Sequence, residues 1–160
     1  MPEQPNDYEE LLRLFNKHRV RYCIVGAYAL ALHAVPRFTK DFDILLEPSL
    51  SNGKHVIEAL IEFGFESLKL TADDFARPGR IIQLGYEPLR VDLLTSIDGC
   101  TFAEVWKHRV RGTYGRTKAN FIGLDQLIRN KQESGRSQDL VDLKTLQQKP
   151  RKTRERKRSA

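Results

Sequence analysis

Asp41-Phe42-Asp43-Ile44-Leu45-Leu46 is the stretch on which the reading of this chain turns. It predicts a strand over Asp41 to Glu47, closed by Pro48, which cannot donate to a ladder. Strand alternation puts Asp41 and Asp43 on one face and Phe42, Ile44 and Leu46 on the other. Carboxylates spaced i, i+2 stand about 6–7 Å apart at the backbone, so their side chains can converge on one or two divalent cations. Aspartate is disfavoured inside strands, so a pair there calls for a reason. The plainer reading is two acids where an edge strand emerges into solvent, and on this segment alone it stands ahead.

Asp92 shifts the balance. It lies in Val91-Asp92-Leu93-Leu94, again a carboxylate set in an apolar strand. Three aspartates on adjacent strands would make a hard, anionic site suited to Mg²⁺, and a bound cation would relieve their mutual repulsion. That the strands are adjacent is an inference at this level. Upstream, Tyr22-Cys23-Ile24-Val25 reads as a buried strand that ends at Gly26, where a helix opens. Backbone amides at such a junction can hold a phosphate, although many strand–helix turns need a glycine for other reasons. His33, Arg37, Thr39 and Lys40 follow before Asp41. They are either cations beside an anionic site, able to neutralise a triphosphate, or ordinary surface groups.

The rest of the chain frames this segment. Its 160 residues carry a net charge of +6, and they suffice for one domain with a buried core. The excess is local: residues 149–160 hold seven basic residues and one acid, whereas residues 1–148 balance 20 basic against 20 acidic. The expected organisation is a neutral domain over 1–148 and a disordered basic tail over 149–160. The longest stretch free of Asp, Glu, Lys and Arg runs from Tyr22 to Pro36, too short to span a bilayer. The opening MPEQPNDYEE is acidic and polar, which does not read as a secretory signal. Cys23 and Cys100 make neither a disulfide framework nor a zinc spacing, so a reduced, cytoplasmic setting is expected.

Periodicity supplies the remaining elements. Asn6 or Asp7 caps a first helix carrying Leu11, Leu12, Leu14 and Phe15, and a short helix covers Ala27 to Ala34. Ser51 is expected to cap a helix through Phe63 that Gly64 ends, followed by a single turn at Asp73–Ala76. Two strands, Arg80–Leu84 and Leu89–Thr95, are joined by a turn over Gly85–Pro88. A short helix over Thr101–Lys107 precedes a strand-like stretch from His108 to Phe121, in which Gly112 and Gly115 suggest a hairpin or bulge. Two closing helices, Leu124–Glu133 and Ser137–Gln147, flank Gly135. The fold class is α+β: a small mixed β-sheet with helices packed on it and two C-terminal helices.

Gly26-Ala27, then Asp41-Phe42-Asp43, then Asp92 on a later strand resembles the DNA-polymerase-beta-type nucleotidyltransferase superfamily. The string from Val25 to Asp43 is similar to its small bacterial single-domain members, the minimal nucleotidyltransferases and the group related to abortive-infection toxins. The closing segment, with Gly123-Leu-Asp-Gln-Leu, Lys131, Gly135-Arg136, Asp139 and Asp142, also resembles that group. The likeness spans residues 8 to 147. It implies the nucleotidyltransferase fold, two Mg²⁺ ions held by Asp41, Asp43 and Asp92, and a nucleoside triphosphate substrate. It further implies that Asp41 and Asp43 bridge the ions while Asp92 completes the site and takes the acceptor's proton. Ala27 stands where the family usually has Gly or Ser, so a hydroxyl contact to phosphate is absent there and backbone amides of Gly26 and Ala27 would serve.

Other residues have narrower readings. Lys131 continues the apolar face of Leu124, Leu127 and Ile128. It either reaches the phosphates with Arg136 or snorkels at a helix end. Arg37 and Lys40 are further nucleotide-binding candidates. Asp139 and Asp142 could orient Arg136 or Lys131, with a solvated helix face favoured for Asp142. His33 reads as a packing or hydrogen-bonding residue, Tyr28 and Trp106 as core aromatics ahead of base-stacking ones, Cys23 as structural and Cys100 as a loop thiol. The tail could attract RNA or DNA through its charge, but it lacks interleaved aromatics.

The function expected is a Mg²⁺-dependent nucleotidyltransferase, ATP-binding or using another NTP. Its acceptor would be a hydroxyl of an RNA 3′ end or a protein side chain, as in toxin–antitoxin systems. The alternatives are an antibiotic nucleotidyltransferase acting on an aminoglycoside or lincosamide, and a catalytically silent nucleic-acid-binding or antitoxin-like module.

Overall fold

The computed structural model describes residues 7–34, 41–65, 69–85 and 90–148. In chain order these form α1 (Asp7–Lys17), β1 (Tyr22–Val25), α2 (Gly26–His33), β2 (Asp41–Leu46) and α3 (Leu50–Phe63). A 3₁₀ turn (Ala72–Phe75), β3 (Ile81–Leu84), β4 (Arg90–Leu94) and α4 (Phe102–Lys107) come next. The hairpin β5 (Val110–Tyr114) and β6 (Thr117–Phe121) precedes α5 (Leu124–Ser134) and α6 (Ser137–Gln148).

The strands make one six-stranded mixed sheet in the order β3-β4-β2-β1-β6-β5. β2 runs parallel to β4, and β1 parallel to β6; the other neighbours are antiparallel. The α+β class read from the sequence is the observed one. The edge-strand reading of Asp41 and Asp43 is not, because β2 lies between β4 and β1.

One face of β2 explains why it sits there. Phe42, Ile44 and Leu46 are fully buried in one core cluster with Leu11, Leu12, Leu14 and Phe15 of α1 and Val56, Ala59 and Leu60 of α3. The Phe42 ring stacks on Tyr8 with centroids 4.6 Å apart. Tyr28 meets it edge-on at 4.8 Å and Tyr114 at 5.4 Å. These offset and edge contacts suit the charge distribution of aromatic rings. They clamp the residue between the two aspartates, so the opposite face of β2 is held in place from below.

Local chemistry refines the boundaries. The cap of α3 is Ser49, not Ser51: Ser49 has the extended backbone of a capping residue and its Oγ accepts from Asn52 N at 3.1 Å. Ser51 falls inside the first turn. Buried Asn52 accepts from Arg21 N and donates to Arg21 O and Glu47 O, tying the start of β1 to the end of β2. Gly64 ends α3 as expected. The stretch after His108 is a true hairpin turning at Gly115. His33 Nε2 donates to Ile122 O at 2.7 Å, the hydrogen-bonding role expected of it. Of the expected turn over Gly85–Pro88, residues 86–88 lie outside the described residues. The same holds for the basic tail. Among the described residues no helix is long and apolar enough to cross a membrane.

Replacing Phe42 with alanine should cost about 3–5 kcal/mol, the range for emptying a buried aromatic site. Urea denaturation measures it, and a loss below about 1 kcal/mol would mean that the aromatic clamp is not what seats β2.

Candidate active site

The β2–β4 ladder brings the three aspartates together. Asp43 is directly paired with Asp92 and Asp41 with Arg90, while β1 pairs Val25 with Asp43. Neighbouring strands lie about 4.8 Å apart, and paired residues point to the same face. Asp41, Asp43, Asp92 and Arg90 therefore share one patch, opposite the Phe42 core. The Asp92 side chain is 12% exposed and the Asp41 side chain 40%, so the patch runs from solvent into the protein.

Gly26 fits this patch for two reasons. Its φ is +68°, and a Cβ there would collide with the Asp43 carboxylate. The carboxylate thus stands directly against the start of α2, where no side chain caps the first turn and the helix end carries partial positive charge. Ala27, buried behind it, adds only a methyl group.

Burial raises the Asp43 carboxyl to about 6, with the charges of Asp92 and Asp41 adding to the rise and Lys131 and Arg136 opposing it. Three cations answer this negative charge. Arg90 Nε lies 3.2 Å from Asp41 Oδ1 and 3.3 Å from Asp92 Oδ1, and its Nη2 is 3.4 Å from Asp92 Oδ2. Lys131 is 3% exposed and its Nζ lies 3.1 Å from Asp139 Oδ1 and 3.0 Å from Asp142 Oδ2. Arg136 Nε donates to Asp139 Oδ2 at 2.8 Å, yet 79% of its side chain is exposed. Burial works against ionising Asp139, but hydrogen bonds from Arg136, Ser134 and Lys131 hold its carboxyl well below the usual range. The cluster belongs to the α5–α6 pair, which packs on α2.

The sequence candidates fall into place as follows. Asp41, Asp43, Asp92 and Gly26 meet in one patch, with Ala27 next to Gly26 and with Lys131 and Arg136 near enough to bias Asp43. Arg37 and Lys40 lie outside the described residues. Asp142 is buried on Lys131 rather than solvated, because the inward side of α6 faces α5. Tyr28 belongs to the Phe42 cluster. Trp106 stacks on Phe102 and carries Arg109 3.7 Å above its ring. Arg21, just before β1, lies 5.6 Å from the same ring, whereas the carboxylates adjoin the Val25 end of that strand. Cys23 is buried and its thiol pushed up to about 12, consistent with a structural role. Arg90 was missed, although its spacing from Asp92 repeats that of Asp41 from Asp43.

The donor set fits a divalent cation in chemistry and in backbone placement: carboxylate oxygens from paired strands, one of them strongly disfavouring its own charge. As they stand, no three Asp, Glu, His or Cys side chains among the described residues close on a common point. Asp41 and Asp92 turn toward Arg90, and Asp43 leans over Gly26.

A carboxyl raised in the folded state favours folding most below its ordinary value of 3.8 and loses that contribution as pH rises through about 6. Metal-free Asp43→Asn should therefore melt higher than the parent at neutral pH, with the gap closing as the solution is acidified. Thermal melts in a chelating buffer check this; a variant that melts lower at neutral pH, or a gap independent of pH, would contradict it.

No protein-family model matches the chain, and no curated protein matches it significantly in sequence. Two solved structures are similar in fold. One is a Thermotoga maritima protein described as a presumed nucleotidyltransferase, with TM-score 0.56 and 14% identity, covering 86% of this chain and 88% of that one. The other is the lincosamide antibiotic adenylyltransferase LnuA with lincomycin bound, with TM-score 0.54 and 16% identity over 91% of this chain and 97% of that one. At such identity the likeness speaks for architecture, and the architecture of this chain is the nucleotidyltransferase fold.

Proposed function

We propose that this chain is a Mg²⁺-dependent nucleotidyltransferase that transfers a nucleoside monophosphate from an NTP to a hydroxyl acceptor. The observation that carries the reading is the pairing of Asp43 with Asp92 across β2 and β4, beside Asp41 and against the opening of α2, within this fold. Such carboxylates are costly to gather unless a cation belongs there.

Asp41, Asp43 and Asp92 would hold the metal. When bound, it would supply Lewis-acid stabilisation of the charge that builds on the entering and leaving oxygens of the displacement. The chain's own groups do the rest. The backbone amides at Gly26 and Ala27 receive phosphate oxygens at the α2 terminus. Arg136, largely exposed and held at its guanidinium by Asp139, supplies a charged donor to the triphosphate. Lys131, locked between two carboxylates, acts chiefly by seating α5 and α6 so that Arg136 faces the site. Arg37 and Lys40 precede β2 and are assigned to the same phosphates. Asp92 takes the acceptor's proton as its oxygen attacks the α-phosphorus; the bond to pyrophosphate breaks and pyrophosphate leaves.

The acceptor favoured is an RNA 3′ end or a protein side chain, in a cytoplasmic, toxin–antitoxin-like setting, with the basic tail attracting RNA. A second reading, transfer to a lincosamide or aminoglycoside hydroxyl, draws support from the fold shared with LnuA along nearly its whole length.

Wild-type protein with Mg²⁺ and each NTP should release pyrophosphate when supplied with total RNA, a cell lysate or a lincosamide, and labelled nucleotide will mark which one accepts. Asp43→Asn and Asp92→Asn should each lower the rate at least about 100-fold, since metal stabilisation of the transition state is worth several kcal/mol. Arg136→Gln should raise KM for the NTP more than it lowers kcat. No release with any NTP and acceptor, alongside persistent RNA binding, would point instead to a silent binding module.

A further inference from the structure

Among the described charged groups of the patch, Arg90 is the one to which the metal-dependent reading gives no task, and it stands where that reading needs room. Its register opposite Asp41 and its position two residues before Asp92 put it on the carboxylate face. One guanidinium bridges Asp41 and Asp92, at 3.2 and 3.3 Å from Nε, with Nη2 on the second Asp92 oxygen. The side chain is 32% exposed, so it borders solvent and has a way out. A divalent ion drawing on the same oxygens would lie within a few ångströms of this fixed positive charge, where like charges repel strongly. Ion and guanidinium cannot share Asp41 and Asp92 in their present arrangement.

Resting on the metal-dependent reading above, we propose that Arg90 is a built-in counter-ion that holds the site closed in the metal-free protein. A divalent cation loads only by displacing its guanidinium from Asp41 and Asp92. Arg90 is thus a positioning residue: it keeps the carboxylates apart from one another's charge until metal arrives, and it lowers the affinity for metal alone. The substitution that removes its charge leaves the backbone in place, because Arg90 joins the sheet through main-chain pairing with Asp41 and accepts the Tyr8 hydroxyl through its carbonyl oxygen.

The test is calorimetric titration of Mn²⁺, without nucleotide, into metal-stripped full-length wild type, Arg90→Gln, Arg90→Lys and Asp43→Asn. Arg90→Gln should bind Mn²⁺ roughly tenfold tighter, as expected when two partly exposed ion pairs, each worth up to about 1 kcal/mol, no longer have to be broken. Arg90→Lys, which keeps the charge, should stay near wild type, and Asp43→Asn should bind far more weakly. If wild type binds Mn²⁺ through Asp43 and Arg90→Gln binds no tighter, the counter-ion role is overturned while the metal site stands. If neither wild type nor Arg90→Gln binds Mn²⁺, the metal-dependent reading falls and the counter-ion role with it. Should Arg90→Gln fail to fold, the side-chain Nε–H resonance of Arg90 in wild type decides the matter. It should shift along the Mg²⁺ saturation curve, and a resonance that stays still at saturation overturns the proposal.

Discussion

Asp43 and Asp92 face each other across parallel strands, with backbones about 4.8 Å apart, on a surface that turns away from water. Burial and like charge both disfavour this arrangement, as the raised carboxyl of Asp43 records. Much of the surrounding structure can be understood as an answer to it. Arg90 bridges Asp41 and Asp92 on the face of the sheet that carries them. The opening of α2 presents its positive end to Asp43 across Gly26. Lys131 approaches from α5 and Arg136 from the turn just before α6, held by Asp139 and Asp142. A sheet selected for stability alone would have placed apolar residues at these positions, as it does on the opposite face of β2.

The two faces of β2 divide the labour. Phe42, Ile44 and Leu46 bury in the main core cluster, where aromatic and aliphatic packing fixes the strand. Asp41 and Asp43 are carried by the same backbone, so their position is set by the core rather than by their own interactions. This lets mutually repelling groups remain fixed without being bonded to one another, which a cation-dependent site requires.

Much of this arrangement is legible in the residues because it is local. Strand alternation sorts Asp41 and Asp43 from Phe42, the helical periods bound α5 and α6 to within a residue, and His33 has the hydrogen-bonding role assigned to it. What could not be read depends on distant pairing. The neighbouring of β2 and β4 joins segments almost fifty positions apart, and no local pattern encodes a register. Arg90 escaped for the same reason, since its meaning comes from standing opposite Asp41. Asp142 was read as solvated because a single carboxylate on a helix does not reveal that a buried Lys131 awaits it. The choice between Ser49 and Ser51 as the cap hinged on one turn of backbone, the least certain boundary a sequence offers.

The measurement that tests the central claim most directly is a crystal structure of the protein with Mn²⁺ and a non-hydrolysable NTP analogue. The account predicts anomalous density bound by Asp43 and Asp92, triphosphate oxygens at the start of α2, and Arg90 withdrawn from Asp41 and Asp92. Manganese and analogue bound elsewhere, with Arg90 still bridging the two carboxylates, would contradict it.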